Sequence, residues 1–153
     1  MGGPRTLEDG SPVCRLIAWE VTRSCNLACQ HCRAEAHTEP YPGELSTEEA
    51  KALIDTFPSV GNPIIIFTGG DPMMRADVYE LMAYATAKGL RCVMSPNGTL
   101  ITPETARKIR EAGVQRCSIS IDGYNAETHD AFRCVPGAFD ASMRGIEYLK
   151  AEG

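Results

Sequence analysis

The 153-residue chain lacks three features that would link it to a membrane, to export or to a nucleic acid. No apolar run approaches the roughly 18 residues that cross a bilayer. Residues 1–12 are polar and rich in glycine and proline, without the apolar centre of a signal peptide. No basic run is present and the net charge is −5, whereas sequence-independent binding of nucleic acid requires clustered Lys and Arg. We therefore expect a cytoplasmic protein without a membrane or nucleic-acid partner, whose residues 1–12 form a flexible tail.

The seven cysteines do not have the even number of a disulfide framework, and in a reducing compartment they are thiols or metal ligands. Three of them, Cys25, Cys29 and Cys32, have the spacing C-x3-C-x2-C, and no fourth cysteine follows nearby. Thiolates hold either iron–sulfur clusters or zinc. Three thiolates leave one iron of a [4Fe–4S] cluster open to a small-molecule ligand, and we favour this interpretation.

The alternative for the same loop is a structural zinc site made of three cysteines and one histidine. His31 lies between two of the cysteines and is badly placed to complete their tetrahedron, whereas His37 is sterically able to reach it. Such a site, or a cluster used only for recognition, would make the chain a noncatalytic binding module. The loop alone leaves these alternatives open.

Strand and helix patterns alternate along the chain. Apolar runs predict four strands, at residues 15–22, 64–67, 91–95 and 115–121. Helical periodicity and capping signals predict four helices, which begin near residues 46, 75, 103 and 139, while residues 124–137 are predicted to be a polar loop with a short helical turn. This alternation implies parallel strands joined by right-handed crossovers, so we predict an α/β fold with four parallel βα units of a partial (β/α) barrel over residues 13–153.

Unusual stretches follow all four predicted strands: the cysteine loop, Gly69-Gly70-Asp71-Pro72, Asn97-Gly98 and Asp122-Gly123. In β/α barrels the loops at this end of the strands build the active site. Two glycines let a ligand approach the backbone, and the aspartate can lie near a cationic group. A plain strand-to-helix turn uses the same residue types. Beside three thiolates, however, the second stretch is suited to binding an amino group.

The cysteine spacing after the first strand and the Gly-Gly-Asp-Pro turn after the second resemble the radical S-adenosylmethionine (radical SAM) superfamily. The resemblance implies a [4Fe–4S] cluster on Cys25, Cys29 and Cys32, with the amine and carboxylate of SAM on the open iron. It implies reductive cleavage of SAM to a 5′-deoxyadenosyl radical that removes hydrogen from a substrate. It further implies a low-potential electron donor such as flavodoxin or ferredoxin, and the N-terminal part of a (β/α)6 barrel.

The resemblance also implies which residues bind SAM. His31 matches the aromatic residue that lies against adenine. Gly69, Gly70 and Asp71, after strand two, match the turn that binds the SAM amine. Asn97, after strand three, matches the strand-three motif of the family. Ser120 and Asp122 match a strand-four motif near the SAM ribose and carboxylate. The family more often has Glu at the aspartate of the turn. Strand-end capping and turn formation are the alternative roles for the last two residues.

Two longer stretches, Trp19–Leu27 and His129–Arg133, are similar to the branch whose full-length members carry a C-terminal SPASM or twitch extension. The run from His31 to Ala34 is most similar to heme-biosynthesis members, which decarboxylate or otherwise trim tetrapyrrole propionates. The resemblance therefore implies a small-molecule tetrapyrrole as substrate and, as the alternative, a peptide modified by a maturase. Where the family usually has Arg-Gly, this chain has Arg followed by Cys134.

Overall fold

Four parallel strands form the centre of the structure, a computed structural model that describes residues 6–153. The strands are β1 (Leu16–Thr22), β2 (Ile64–Gly69), β3 (Arg91–Met94) and β4 (Arg116–Cys117). Their order in the sheet is the order in the chain, and every neighbouring pair is parallel. The partial (β/α) barrel predicted from the sequence is confirmed.

Five α-helices connect and follow the strands: α1 (Thr47–Thr56), α2 (Val78–Ala87), α3 (Pro103–Glu111), α4 (Ala126–Arg133) and α5 (Ala138–Glu152). The predicted capping box begins α1, because the Glu49 N–H donates to Ser46 Oγ and the Ser46 N–H donates to the Glu49 carboxylate. Within residues 6–153, no helix combines the length and apolarity that a bilayer crossing requires.

The main apolar core lies where one face of the sheet meets the helices. Ile65 and Phe67 of β2 are completely buried there, against Ile54 of α1 and Leu81 of α2. Successive side chains of a strand point to opposite faces, so Ile66 between these two is only half-buried. The continuous apolar run is therefore not buried equally on both faces, because the core takes strand residues from alternate positions.

Three boundaries differ from the sequence predictions. Strand β4 has two residues rather than seven, because its partner β3 already ends at Met94 and offers no further backbone to pair with. Helix α2 begins at Val78 rather than near 75, because a 3₁₀ turn at Pro72–Met74 precedes it. Residues 126–133, predicted to belong to a polar loop, form the complete helix α4, which Asn125 caps by accepting from the Thr128 N–H at 3.0 Å.

The predicted tail is only partly described. Residues 6–12 form a turn closed by a bridge between Thr6 and Pro12, and the Leu7 N–H donates to the Ser11 carbonyl at 2.8 Å. Residues 1–5 lie outside the described residues. A flexible segment over 1–12 and a core domain over 13–153 remain predictions.

Helix α4 is capped at its C-terminus by Cys134, whose backbone is left-handed at φ 58° although the residue is not glycine. A Cβ in this region costs about 1–2 kcal/mol, and the greater freedom of glycine in the unfolded chain offsets part of any relief. We expect Cys134→Gly to stabilise the end of α4 by about 0.5–1 kcal/mol. Native-state hydrogen exchange of the α4 amides measures this. Cys134→Ala keeps the strain and should leave exchange unchanged; equal protection in both variants would contradict the explanation.

Candidate functional site

The cysteine loop is closed where it starts and ends. The Cys25 N–H donates to the His37 carbonyl at 2.8 Å, and the hydroxyl of Ser24 donates to the Glu39 carbonyl at 3.0 Å. A parallel bridge also joins Ser24 to His37. The loop therefore leaves β1 and returns beside it, which confines its three thiols to one end of the sheet.

Each of the three thiol sulfurs accepts a hydrogen bond. The backbone N–H of Leu27 donates to Cys25 Sγ and that of Ala36 to Cys32 Sγ, both at 3.4 Å. The Arg133 guanidinium donates through Nη1 to Cys29 Sγ, also at 3.4 Å. N–H groups directed at cysteine sulfur stabilise thiolate ligands and tune iron–sulfur clusters. Burial raises the pKa of the Cys25 thiol, so a positively charged iron centre would be needed to hold it as thiolate. The donor set therefore fits a thiolate-bound cluster.

The two histidines near the cysteines are engaged with aromatic rings. His31 stacks on Phe132 with 4.3 Å between ring centroids and 12° between planes, and His37 lies 6.2 Å from the ring of Tyr41. Among residues 6–153, no three His, Cys, Asp or Glu side chains are grouped as ligands for one metal ion. The contacts of both imidazoles are therefore with aromatic rings, whichever centre the thiols hold.

The two glycines after β2 lie directly against the end of β1. The Gly70 N–H donates to the Thr22 carbonyl at 2.9 Å, and the next N–H donates to the Ser24 carbonyl at 2.7 Å. A Cβ added at Gly69 would lie 2.0 Å from the Thr22 oxygen, and one added at Gly70 would lie 2.4 Å from the Ser24 oxygen. The close contact between this turn and the backbone at the end of β1 therefore requires glycine at both positions. Within residues 6–153 the Gly70 carbonyl accepts no hydrogen bond, so it is the group of this turn suited to a ligand amine.

We expect Gly70→Ala to separate this turn from the cysteine loop, because the added methyl cannot fit against the backbone of β1. Overpacking of this kind costs about 1–3 kcal/mol. Gly43→Ala is the control, since a Cβ there meets no atom within 4 Å and only its φ of +88° is unfavourable. Isothermal titration of the reconstituted full-length protein should show weaker SAM binding in Gly70→Ala alone. Equal SAM affinity in the two variants would refute the close-approach argument.

Asp71 is completely buried, and its carboxylate holds together the turns after β2 and β3. One oxygen accepts from the Met73 N–H at 2.8 Å and the other from the Asn97 N–H at 2.7 Å. Burial raises the pKa of this carboxyl. Both oxygens are occupied by backbone donors rather than by a cationic group, so the aspartate contributes to the site by fixing its neighbours.

Asn97 joins the turn after β3 to the cysteine loop. Its Nδ2 donates to Asn26 Oδ1 at 2.8 Å and lies 3.8 Å from Cys25 Sγ. Its Oδ1 accepts from the Thr99 N–H at 2.8 Å, and the Thr99 hydroxyl accepts from Asn26 Nδ2. Sequence reasoning did not identify Asn26 or Thr99, although both lie within two residues of predicted site residues.

Ser120 and Asp122 are exposed, and helix α4 holds their segment in place. The Arg133 guanidinium donates to the Ser120 carbonyl at 3.1 Å and pairs with the Asp122 carboxylate at 2.5 Å. The Asp122 N–H donates to His129 Nδ1 at 3.1 Å. Sequence reasoning assigned no role to either α4 residue; their separation of four positions was the available signal, because such residues share a helix face.

The C-terminal end of α4 docks on the cysteine loop. The Ala28 N–H donates to the Arg133 carbonyl at 3.3 Å, and the Gln30 N–H donates to the Phe132 carbonyl at 3.1 Å. The Gln30 side-chain amide donates to the Ala131 carbonyl at 3.1 Å. The last carbonyls of a helix have no partner within the helix, so the cysteine loop supplies the cap.

The predicted site residues therefore lie in one connected network at the ends of the four strands. The cysteines, Asp71 and Asn97 are linked through the turns after β2 and β3, and Ser120 and Asp122 join them through Arg133. A cavity of about 450 Å³ lies elsewhere, beside β4 and between α3 and α5. Its walls contain none of the predicted site residues.

Known proteins resemble this chain over its length. A model of the radical SAM superfamily matches residues 19–153. An AdoMet-dependent heme synthase of Oleidesulfovibrio alaskensis is 82% identical over the whole chain, which covers 39% of that protein. An Fe-coproporphyrin III synthase of Methanosarcina barkeri is 50% identical over 95% of this chain and 36% of its own length. The chain thus spans about two fifths of the curated relatives that it matches.

A solved structure, that of a methylornithine synthase, has the same arrangement of strands and helices. It matches 92% of this chain and 42% of its own chain, with a TM-score of 0.72 and 24% sequence identity. At that identity the likeness supports the fold alone, and it agrees with the four-stranded parallel architecture described above.

Proposed function

The chain belongs to the radical SAM superfamily, and from this we propose that it forms the part of an enzyme that binds a [4Fe–4S] cluster and SAM, the two cofactors of that superfamily. Cys25, Cys29 and Cys32 would hold the cluster and leave one iron for SAM. The observation that carries the proposal is that all three sulfurs accept N–H hydrogen bonds at the end of a parallel sheet. When bound, the cluster supplies the electron that cleaves SAM to a 5′-deoxyadenosyl radical.

We expect the residues of this chain to bind SAM and to orient it. The Gly70 carbonyl, which accepts no hydrogen bond from the described residues, is suited to accept one from the SAM amine, and Asp71 keeps that turn beside Asn97. Ser120 and Asp122 would lie near the ribose and carboxylate, in a segment that α4 holds in place. His31 presents an exposed imidazole next to the third cysteine, and its stacking on Phe132 gives the ring a fixed plane against which adenine can pack.

We further propose a tetrapyrrole with propionate side chains as substrate and their oxidative decarboxylation as the reaction. The names of the relatives, an AdoMet-dependent heme synthase and an Fe-coproporphyrin III synthase, support this choice. Groups that select the substrate are expected in the part of the enzyme outside this chain. A C-terminal SPASM or twitch extension, a cytoplasmic location and a flavodoxin- or ferredoxin-type donor complete the proposal.

The test uses the full-length protein, reconstituted with iron and sulfide without oxygen and then reduced. We expect a brown protein that forms 5′-deoxyadenosine from SAM, and mass spectrometry should show loss of carbon dioxide from an iron tetrapyrrole bearing propionates. 5′-Deoxyadenosine with an unchanged tetrapyrrole but a modified peptide would transfer the function to a maturase. A colourless protein with one bound zinc and no acid-labile sulfide would overturn the enzyme assignment.

A further inference from the structure

We propose that Arg133 is a positioning residue that couples the Cys29 ligand of the cluster to the Ser120–Asp122 segment of the SAM site. The proposal rests on the proposed function. It predicts that the guanidinium favours the reduced cluster and, through the same group, holds the strand-four segment where SAM binds.

The first support is the position of the guanidinium. Arg133 is only 8% exposed, and its Nη1 lies 3.4 Å from Cys29 Sγ. Its Nη2 lies 3.1 Å from the Ser120 carbonyl and 2.5 Å from the Asp122 carboxylate. The planar fork of arginine can hold two such partners in fixed directions, which a lysine ammonium cannot do. One buried group therefore connects the cysteine loop with the segment after β4.

The second support is electrostatic. Among residues 6–153, Arg133 is the one cationic side chain that hydrogen-bonds to a sulfur of the three cysteines. The carbonyls at the C-terminal end of α4 face the same loop and carry the partial negative charge of a helix end, which disfavours thiolates. The positive charge of Arg133 opposes this effect at Cys29. A reduced cluster carries one more negative charge than the oxidised cluster. A partly buried cation beside Cys29 therefore stabilises the reduced form more than the oxidised form.

The third support is a donor without an acceptor. The Arg133 Nε is buried and has no hydrogen-bond partner within the described residues. Leaving a buried charged donor unpaired is costly, so such groups usually face a partner that the chain does not itself supply. Sulfur of a bound cluster or an oxygen of SAM has the acceptor chemistry that this group requires.

The coupling follows from how Asp122 is held. Its N–H donates to His129 and its carboxylate pairs with Arg133, four positions further along α4. Without the guanidinium, the aspartate keeps only its backbone contact and the Ser120 carbonyl loses its donor. SAM binding should therefore weaken together with the change in the cluster.

The experiment compares Arg133→Met and Arg133→Lys in the reconstituted full-length protein. Redox titration followed by electron paramagnetic resonance measures the cluster potential without SAM, and isothermal titration measures SAM affinity. We expect Arg133→Met to shift the reduction equilibrium about tenfold toward the oxidised cluster, which is about 59 mV more negative, and to weaken SAM binding about tenfold. Arg133→Lys should keep most of the potential, because the charge remains, but not the affinity, because the fork is lost.

Two variants separate the contributions. Arg33→Met removes a cation one residue from Cys32, but Arg33 is exposed and pairs with Glu20, so the potential should not change. Asp122→Asn leaves the contact with Cys29 and removes a negative charge paired with the guanidinium, so it should weaken SAM binding without making the potential more negative. These two variants and Arg133→Lys carry the test if Arg133→Met does not retain its cluster.

The outcomes distinguish this inference from the proposed function. A wild-type protein that cleaves SAM, with a potential unchanged in Arg133→Met or shifted equally in Arg33→Met, would overturn the electrostatic role alone. Unchanged SAM affinity in Arg133→Lys and Asp122→Asn would overturn the coupling alone. A wild-type protein that binds no cluster would overturn the proposed function itself.

Discussion

Cys29→Ala in the full-length protein is expected to remove the cluster and the formation of 5′-deoxyadenosine together. Cys29 is the middle one of the three proposed ligands, and its sulfur receives the one charged donor among the described contacts of the three cysteines. Loss of an outer partner of a metal ligand already costs about 10–100-fold, so removal of the ligand itself should exceed about 100-fold in the rate of SAM cleavage. Iron and sulfide content, together with chromatography of 5′-deoxyadenosine, measures both effects.

The matched control is Cys14→Ala. Cys14 is a partly buried cysteine just before β1, and its sulfur lies 3.5 Å from the Leu16 carbonyl rather than in the cysteine loop. It should retain iron content and SAM cleavage at the wild-type level. Cleavage retained in Cys29→Ala would reject that cysteine as a ligand, and equal losses in both variants would attribute the effect to general destabilisation.

Local signals account for what could be predicted from the sequence. The capping box at Ser46 and the spacing of the three cysteines depend on residues only a few positions apart. Alternating strands and helices of ordinary length favour parallel neighbours, and the predicted partial barrel places β1 to β4 in chain order, as the structure has them.

Helix α4 was missed because its signals are short and mixed. Asn125 is a good N-cap, but the helix has only eight residues and its C-cap is Cys134 rather than a glycine. The partners of its last carbonyls lie in the cysteine loop, about a hundred positions earlier in the chain. Contacts between segments so distant along the chain cannot be derived from local pattern, and the roles of His129 and Arg133 were hidden with the helix.

Strand β4 and Asp71 illustrate the same limit. The apolar run of residues 115–121 has the composition of a strand, but its pairing ends where β3 ends. The sequence suggests that an aspartate after two glycines lies near a cationic group. In the structure, both carboxylate oxygens of Asp71 accept hydrogen bonds from backbone N–H groups of two turns. The neighbouring strand β3 limits the pairing of β4, and the turn after β3 supplies one hydrogen-bond donor to Asp71.

Asp71→Ala is the second substitution with a large expected effect. It would leave the half-buried N–H group of Met73 and the buried N–H group of Asn97 without acceptors, and each unsatisfied donor costs about 1–3 kcal/mol, for a total of about 2–6 kcal/mol. This is a substantial fraction of the roughly 5–15 kcal/mol that stabilises a typical domain. Since Asn97 also contacts the cysteine loop, SAM binding should weaken in the same variant.

Hydrogen exchange of the full-length protein resolves the effect at its source. The amides of Met73 and Asn97 should lose protection in Asp71→Ala, because their acceptor is removed while the rest of β2 and β3 remains paired. Asp9→Ala is the control, since Asp9 accepts the same kind of bond from the Ser11 N–H in an exposed turn where water replaces it. Unchanged protection at Met73 and Asn97 would mean that the carboxylate does not hold the two turns, and the SAM-binding role of Asp71 would then have to be direct.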